Sequence, residues 1–544
     1  MATHGIQAVC DQAEQDPRPG GTVRQVISAV ADDEIAIWCC SHVQIKPIFD
    51  EGLCVTTVLG IDLGTSSVKV VLADPTGGVL AQSTKEYDVV RPHPGWAETH
   101  PETWWAAIRA GVADVCRRQP ARSLPAGVGL AGQMNGVVLC EESGVPTRPA
   151  VLWADSRAEA QLSAYLSLPE ERVRRLGSPL SPGMAGPILA WLAEREPDAT
   201  GRARHAVQPK DWMRGRLTGV FRGEPSDASA TLLFDVVARD WDREAATHLG
   251  IPSELLPELD PHSGTIAGQL LPVVAEELGL PAGIPVAAGA GDTAAAAFGT
   301  GLVDVGDVQL TIGTGVQIVT PVAPPTEATL PAQPSSIHLH RAATEDGWYA
   351  MAAGLTGGAT LSWVKDVLNT TWEELYAAAR HPPRLDDPIF VPHLVGERTP
   401  HLDSRLRGSW SGLNARHDRV TVLYSALEGV AFAVRDGLDA LAGTSSASHP
   451  LRLAGGGTTS PAWRQLLADV LDRSLDAVPT PAASVRGATL LGSLASGLIT
   501  ASELAEVARP TLMRVADPTP RVELLRERRA AYHRVFSALR RTNE

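Results

Sequence analysis

Residues 58–74 read VLGIDLGTSSVKVVLAD. The apolar runs Val58 to Ile61 and Val68 to Ala73 have the length and β-branched content of buried strands, and Gly-Thr-Ser-Ser between them is turn chemistry. The segment is therefore read as a β-hairpin with Gly64, Thr65 and Ser66 in its turn. Asp62 stands where the first strand enters that turn. A carboxylate there, beside small residues whose backbone N–H groups can face outward, suits the holding of a hydrated Mg²⁺ next to a polyphosphate. A plain hairpin with a turn aspartate fits the same residues.

A second copy decides between these readings. Residues 308–320, VQLTIGTGVQIVT, repeat the plan of strand, turn (Gly313, Thr314, Gly315) and strand, without the aspartate. Two related hairpins facing each other across a cleft, only one carrying a carboxylate, imply a duplicated domain clamping one nucleotide. At this point the chain resembles the superfamily of actin, hexokinase and the sugar kinases. The fold that this resemblance implies is α/β, with two duplicated ribonuclease H-like (actin/hexokinase-type) domains and an interdomain cleft.

Length and composition agree. At 544 residues the chain is too long for one core, and 44% hydrophobic with 20% charged residues is ordinary for a soluble globular protein. A net charge of -15 argues against nucleic acid or an anionic membrane as partner. No apolar run approaches the roughly 20 residues of a membrane span, and the N-terminus lacks the plan of a signal peptide, so a cytoplasmic protein is expected. Cys10, Cys39, Cys40, Cys54, Cys116 and Cys140 show neither zinc spacing nor disulfide density and are read as free thiols. Residues 1–54 precede the hairpin and show no sustained period, so they are expected to be an extension outside the fold, with Val55 a candidate true start. The division expected for the rest is 55–302 and 303–544.

Other stretches carry candidate chemistry. Pro101 to Val115 reads as a helix with Trp104, Ile108 and Val112 on one face. VGLAGQMNGVVLC (128–140) reads as strand, turn and strand, with Gln133, Met134 and Asn135 at a strand end, where open α/β sheets place ligands. RPAVLWADSRA (148–158) puts Trp153, Asp155 and Arg157 at another strand end, and Pro209 to Gly219 is an amphipathic helix. In IPVAAGAGDTAAAAFG (284–299) a strand runs through Gly289 and Gly291 into an alanine-rich helix that starts after Asp292. Asp is a favoured N-cap, yet an ionised Asp at a helix N-terminus can also accept a proton. The helix from Val420 to Leu441 buries an apolar stripe and places Glu428 near the cleft. In LRLAGGGTTSPAWRQLLADVL (451–471) successive glycines would let a flat adenine ring lie on backbone, and the small-residue helix 487–498 would pack beneath it.

Taken in order, IDLGTSSVKV, GQMNG, RPAVLWADSR, QPKDWMRGRLTG, SDASATLLFDV, GDTAAAAFG, IGTG, GERTPHLDSRLRG, LEGVAFAVRDGLD and GGGTTSPAWRQLLADVL resemble the FGGY carbohydrate kinases from about Thr57 to the end, the bacterial xylulokinases most of all. The resemblance implies ATP-dependent phosphorylation of a sugar with Mg²⁺, D-xylulose to D-xylulose 5-phosphate being the leading expectation. It makes Asp292 the general base and Asp62 the carboxylate near Mg²⁺, acting through water. Gln133, Met134, Asn135 and Thr293 would then face the sugar with Asp292. Gly64, Thr65, Ser66, Gly313, Thr314, Gly315, Gly456, Gly457 and Ser460 would hold the nucleotide. A homodimer is the family's habit.

The chain departs from that pattern. Xylulokinases usually have His where this sequence has Asn135, Asn where it has Thr293, and Lys where it has Ile188. Asn135 and Thr293 flank the expected sugar pocket, which leaves another pentulose or a polyol open as substrate. A weakly active nucleotide-binding sensor of the same fold is the alternative from another class.

Overall fold

The hairpin forms as the sequence implies. β1 (Thr57–Leu63) pairs antiparallel with β2 (Ser67–Ala73), Val58 opposite Ala73 and Asp62 opposite Lys69. The computed structural model describes residues 56–118, 124–331, 335–441, 449–480 and 482–543. The expectations about residues 1–54, with Cys10, Cys39, Cys40 and Cys54, lie outside the described residues, whereas Cys116 and Cys140 are free thiols.

β3 (Val79–Glu86) continues the meander, α1 (Pro101–Arg117) crosses back, and β4 (Pro125–Gly132) returns parallel to β1. β5 (Ile266–Gln269) and β6 (Pro285–Ala287) complete a sheet of order β5-β6-β4-β1-β2-β3, with Ala290–Gly291 paired beside the end of β4. Because strand side chains alternate, β1 presents two different faces. Leu59, Ile61 and Leu63 pack with Trp104, Ile108 and Val112 of α1 in one apolar cluster. Gly60 and Asp62 point to the other face.

The second half repeats this plan. β7 (Val308–Ile312) and β8 (Val316–Val322) form the second hairpin, followed by β9 (His338–Arg341) and β10 (Trp348–Gly354). β11 (Leu451–Ala454) runs parallel to β7, as β4 does to β1, and β12 (Leu475–Ala477) and β13 (Met513–Ala516) close the order β9-β10-β8-β7-β11-β12-β13. Val308, Leu310 and Ile312 face a core shared with α4 (Arg419–Ala440) and α5 (Pro461–Leu471). In the repeat, Thr311 takes the place that Asp62 has in β1.

The two halves meet through helices that change sides. α3 (Asp292–Gly299) follows the first sheet. α6 (Ala483–Ala495) belongs in sequence to the second half, yet lies on the first sheet. A Cβ on Gly129 would fall 1.8 Å from the Ala488 carbonyl oxygen, and one on Gly60 would meet the Thr489 hydroxyl at 2.3 Å. α3 and α6 also cross in backbone contact. A Cβ on Gly299 would sit 2.0 Å from the Ala483 carbonyl oxygen, and one on Gly487 2.0 Å from that of Ala295. Around this crossing, Ala294, Phe298, Leu490 and Leu491 share a cluster with Tyr349 and Met351 of β10. The small-residue run expected beneath the nucleotide segment thus starts earlier, at Ala483, and supports β1 and β4 instead.

Candidate active site

The end of β1, the turn after β4 and the start of α3 converge on one side of the cleft. Gln133 donates its backbone N–H to the Leu63 carbonyl at 2.8 Å and its Nε2 to the Gly64 carbonyl at 3.2 Å, tying the Gln133–Asn135 turn to the first hairpin. Tyr87 Oη donates to the same Gly64 carbonyl at 2.5 Å, and Trp153 Nε1 donates to Thr65 Oγ1 at 2.9 Å. Asn135 has φ 65°, in the left-handed region that asparagine tolerates. Its backbone N–H donates to Gln208 Oε1 at 2.6 Å, and Gln208 Nε2 donates to the Asp227 carbonyl at 2.8 Å. Met134 lies against Gly291, where a Cβ would come within 3.0 Å of its sulfur and 3.1 Å of Asp227 Oδ1.

Asp292 is the first residue of α3 and not its cap. Gly291 holds the cap position and no side chain closes the helix there. That corrects the capping alternative: the Asp292 carboxylate accepts from Thr293 Oγ1 at 3.2 Å. Burial and the nearby charge of Asp62 push its carboxyl up to about 6, against the hydrogen bonds from Thr293. Asp62 is raised too, by burial, with the Ser484 hydroxyl and the Lys69 charge pulling the other way. Ser484 Oγ donates to Asp62 Oδ2, while Oδ1 is buried with no hydrogen-bond partner. An unpartnered buried carboxylate oxygen of this kind fits the outer shell of a hydrated divalent cation. Among the described residues no group of three or more His, Cys, Asp or Glu could hold a metal ion.

Other buried acceptors around this point are also unsatisfied: Gln133 Oε1, Asn135 Oδ1 and both carboxylate oxygens of Asp227. Lys210 Nζ stands 3.4 Å from Asp227 Oδ2 but is closer to Asp211, at 2.5 Å. Buried polar atoms nearly always find partners, so a cluster of lone acceptors marks a place for donors that the protein does not supply, from water or from a bound molecule.

The second hairpin supplies the opposite wall. Gly313 N donates to the Gly315 carbonyl at 3.0 Å, and the turn is backed by Gly358 and Ala359, whose N–H groups donate to the Gly313 and Thr314 carbonyls, each at 2.9 Å. Gly455 has φ 92° and lies so close to Ile312 that a Cβ would be 2.5 Å from its carbonyl oxygen, whereas Gly456 faces open space. Ser460 accepts from Trp463 N at 3.5 Å as the cap of α5. A cavity of about 500 Å³ runs from Thr293 and Ala296 of α3, past Gln309, Thr311 and Gln317, to Gly455, Gly456 and Ala483. It joins the Asp292 helix to the glycine segment.

Some polar residues picked out along the chain serve structure instead. Glu428 is not at the cleft: it is 1% exposed and receives two hydrogen bonds of 2.6 Å from Arg528 of α7 (Arg521–Asn543). Arg157 is held by Asp155, at 2.7 Å, and by Glu98, at 2.8 Å, beneath Trp96. Ile188, on α2 (Ala185–Arg195), packs in an apolar cluster with Leu189 and Leu192. Sequence reasoning missed Ser484, Gln208, Gly358 and Asp227. Only Asp227 carried a signal, a lone acid ahead of an apolar run.

The profile of the FGGY family of carbohydrate kinases, N-terminal domain, matches residues 57–299, and that of the C-terminal domain matches residues 311–496. The chain is 35% identical to the xylulose kinase of Escherichia coli (strain K12) over 77% of this chain and 85% of that protein. It is 32% identical to the xylulose kinase of Klebsiella pneumoniae over 89% and 99%. Among solved structures, a xyloylose kinase from Brucella ovis superposes with a TM-score of 0.82 at 31% identity, covering 89% of this chain and all of that one. The chain belongs to the FGGY family of carbohydrate kinases and has its two-domain, actin/hexokinase-like fold.

Proposed function

We propose that the protein transfers the γ-phosphoryl group of ATP to a hydroxyl of a ketopentose, D-xylulose to D-xylulose 5-phosphate. The observation that carries this reading is a pair of unpartnered acceptors at one point of the cleft, Gln133 Oε1 and Asn135 Oδ1, beside the Asp292 carboxylate, which accepts from Thr293. A polyhydroxylated sugar offers the donors these oxygens lack. The relatives named xylulose kinase support the choice of sugar.

In this reading the sugar lies against Met134, Asn135 and Thr293, with one hydroxyl at Asp292. ATP enters the cavity from the glycine segment, its adenine on Gly456 and Gly457 and its phosphates between the turns at Gly64–Ser66 and Gly313–Gly315. Asp62 holds hydrated Mg²⁺, whose charge offsets that of the phosphates. The hydroxyl oxygen forms the new bond to the γ-phosphorus, the bond to the bridging oxygen breaks, ADP leaves with that electron pair, and Asp292 takes the hydroxyl proton. A carboxyl pushed up to about 6 is ionised at neutral pH and still a better base than an ordinary Asp. Closure of the cleft on its substrates keeps water from competing for the phosphoryl group.

ADP release measured with D-xylulose, L-xylulose, D-ribulose, L-ribulose and the corresponding polyols tests the proposal. Turnover highest on D-xylulose supports it. Preference for another sugar moves the substrate, and no turnover on any sugar removes the reading.

A further inference from the structure

We propose that Ser484 is a positioning residue for phosphoryl transfer: its hydroxyl fixes the Asp62 carboxylate so that one oxygen is committed to protein and the other is free for the hydrated cation. The proposal rests on the reading that Asp62 serves a metal–nucleotide.

Asp62 shares a face of β1 with Gly60, and that face is covered by α6. Having no side chain, Gly60 lets the helix come so close that Thr489 Oγ1 occupies the space of its missing Cβ. With Thr489 seated at Gly60, Ser484 falls at Asp62 and donates to Oδ2. The two are 422 positions apart in the chain. Ser484 is in the first turn of α6, whose N-cap residue Ala482 makes no side-chain hydrogen bond, and Ala482 and Ala483 line the cavity assigned to the nucleotide. Ser484 therefore joins the carboxylate to the cavity wall. Among the described residues, the other groups with a charge or proton that act on Asp62 are Lys69 on β2, Asp292 on α3 and Tyr87, which is spent on the Gly64 carbonyl. Among the described side chains, only the Ser484 hydroxyl donates a hydrogen bond to this carboxylate. A carboxylate with one oxygen fixed presents the other in a defined direction, which is what outer-shell partners of metal ligands do.

The test compares the parent with Ser484→Ala and Ser484→Thr. Calorimetry gives the affinity for ADP alone and for ADP with Mg²⁺, and intrinsic fluorescence gives D-xylulose binding. The ratio of the two ADP affinities does not depend on the fraction of active protein. In Ser484→Ala the strengthening of ADP binding by Mg²⁺ should fall about tenfold, and kcat with it, while metal-free ADP and sugar binding stay near the parent. Ser484→Thr keeps the hydroxyl and should restore the ratio. An unchanged ratio in the Ala variant, or an equal loss in Thr and Ala, overturns the proposal. If the parent itself shows no strengthening by Mg²⁺, the reading of Asp62 fails and this inference falls with it.

Discussion

Replacing Asp292 by Asn tests the proposed chemistry on two independent scales. The amide keeps the shape of the side chain but cannot accept the hydroxyl proton, so kcat should fall by at least about 100-fold, the lower range of general-base contributions. That corresponds to about 2.7 kcal/mol in the barrier. Stability should move the other way. Burial and the Asp62 charge raise the Asp292 carboxyl from 3.8 to about 6, a difference equivalent to about 3 kcal/mol. Solvent in the cleft screens part of it, leaving about 1–2 kcal/mol. The folded state prefers the protonated form, so this contribution to stability is complete below pH 3.8 and is lost as pH rises through about 6. At pH 7.5 the parent carries a charge that the folded state disfavours, and Asp292→Asn should melt higher, with an advantage that shrinks as the pH is lowered toward 5. A residue serving only the helix N-terminus would behave oppositely, since losing its negative charge there costs about 0.3–1 kcal/mol. Steady-state turnover and thermal melts across this pH range, with MgADP binding as the control for the other half of the cleft, read both effects. Near-normal turnover in Asp292→Asn would refute the reasoning outright, and a lower melting temperature at pH 7.5 would refute its electrostatic half.

Asp62→Ala should reduce kcat and flatten its dependence on Mg²⁺ concentration while leaving sugar binding intact, because the free oxygen Oδ1 is assigned to the cation; an unaltered Mg²⁺ response would remove the role. Asn135→His exchanges a neutral acceptor for a group that can become cationic, so the ratio of kcat/KM on D-xylulose to that on other pentuloses and polyols should change, and a constant ratio would place Asn135 outside the pocket. Gly487→Ala forces a methyl to within 2.0 Å of the Ala295 backbone oxygen; the α3–α6 crossing must open, costing about 1–3 kcal/mol and displacing Asp292, so melting temperature and kcat should fall together.

The duplicated hairpins were legible because each is a local object, two apolar runs around a glycine turn, and local patterns survive in one dimension. Asp62 and Asp292 could be singled out for the same reason: a charge at the end of an apolar strand has few structural excuses. Asp292 nonetheless had two readings until the cap position was seen to belong to Gly291. What the sequence concealed lies in the long-range contacts. Ser484 is one serine in an alanine-rich run, and only the seating of Thr489 on Gly60 brings it to Asp62. Gln208 acquires its role from a left-handed turn more than seventy residues away, through the 2.6 Å bond to Asn135. Glu428 misled in the opposite direction, since nothing nearby in sequence announces Arg528, its partner in the core.

The crossing of α3 and α6 also sets the leverage available to the cleft. At the points where backbone meets backbone there is no side chain between the two helices to shear, so a change in the angle between the halves would turn about that contact as about an axle. Asp292 and Gly299, at opposite ends of α3, are about 10 Å apart along the helix axis. Asp292 is thus on a short arm, and the glycine segment at Gly455 and Gly456, across the cavity, is on a longer one. A rotation about the crossing that carried the glycine segment a long way would sweep the Asp292 carboxylate through a shorter arc, so coarse travel at the rim would become fine adjustment at Asp292.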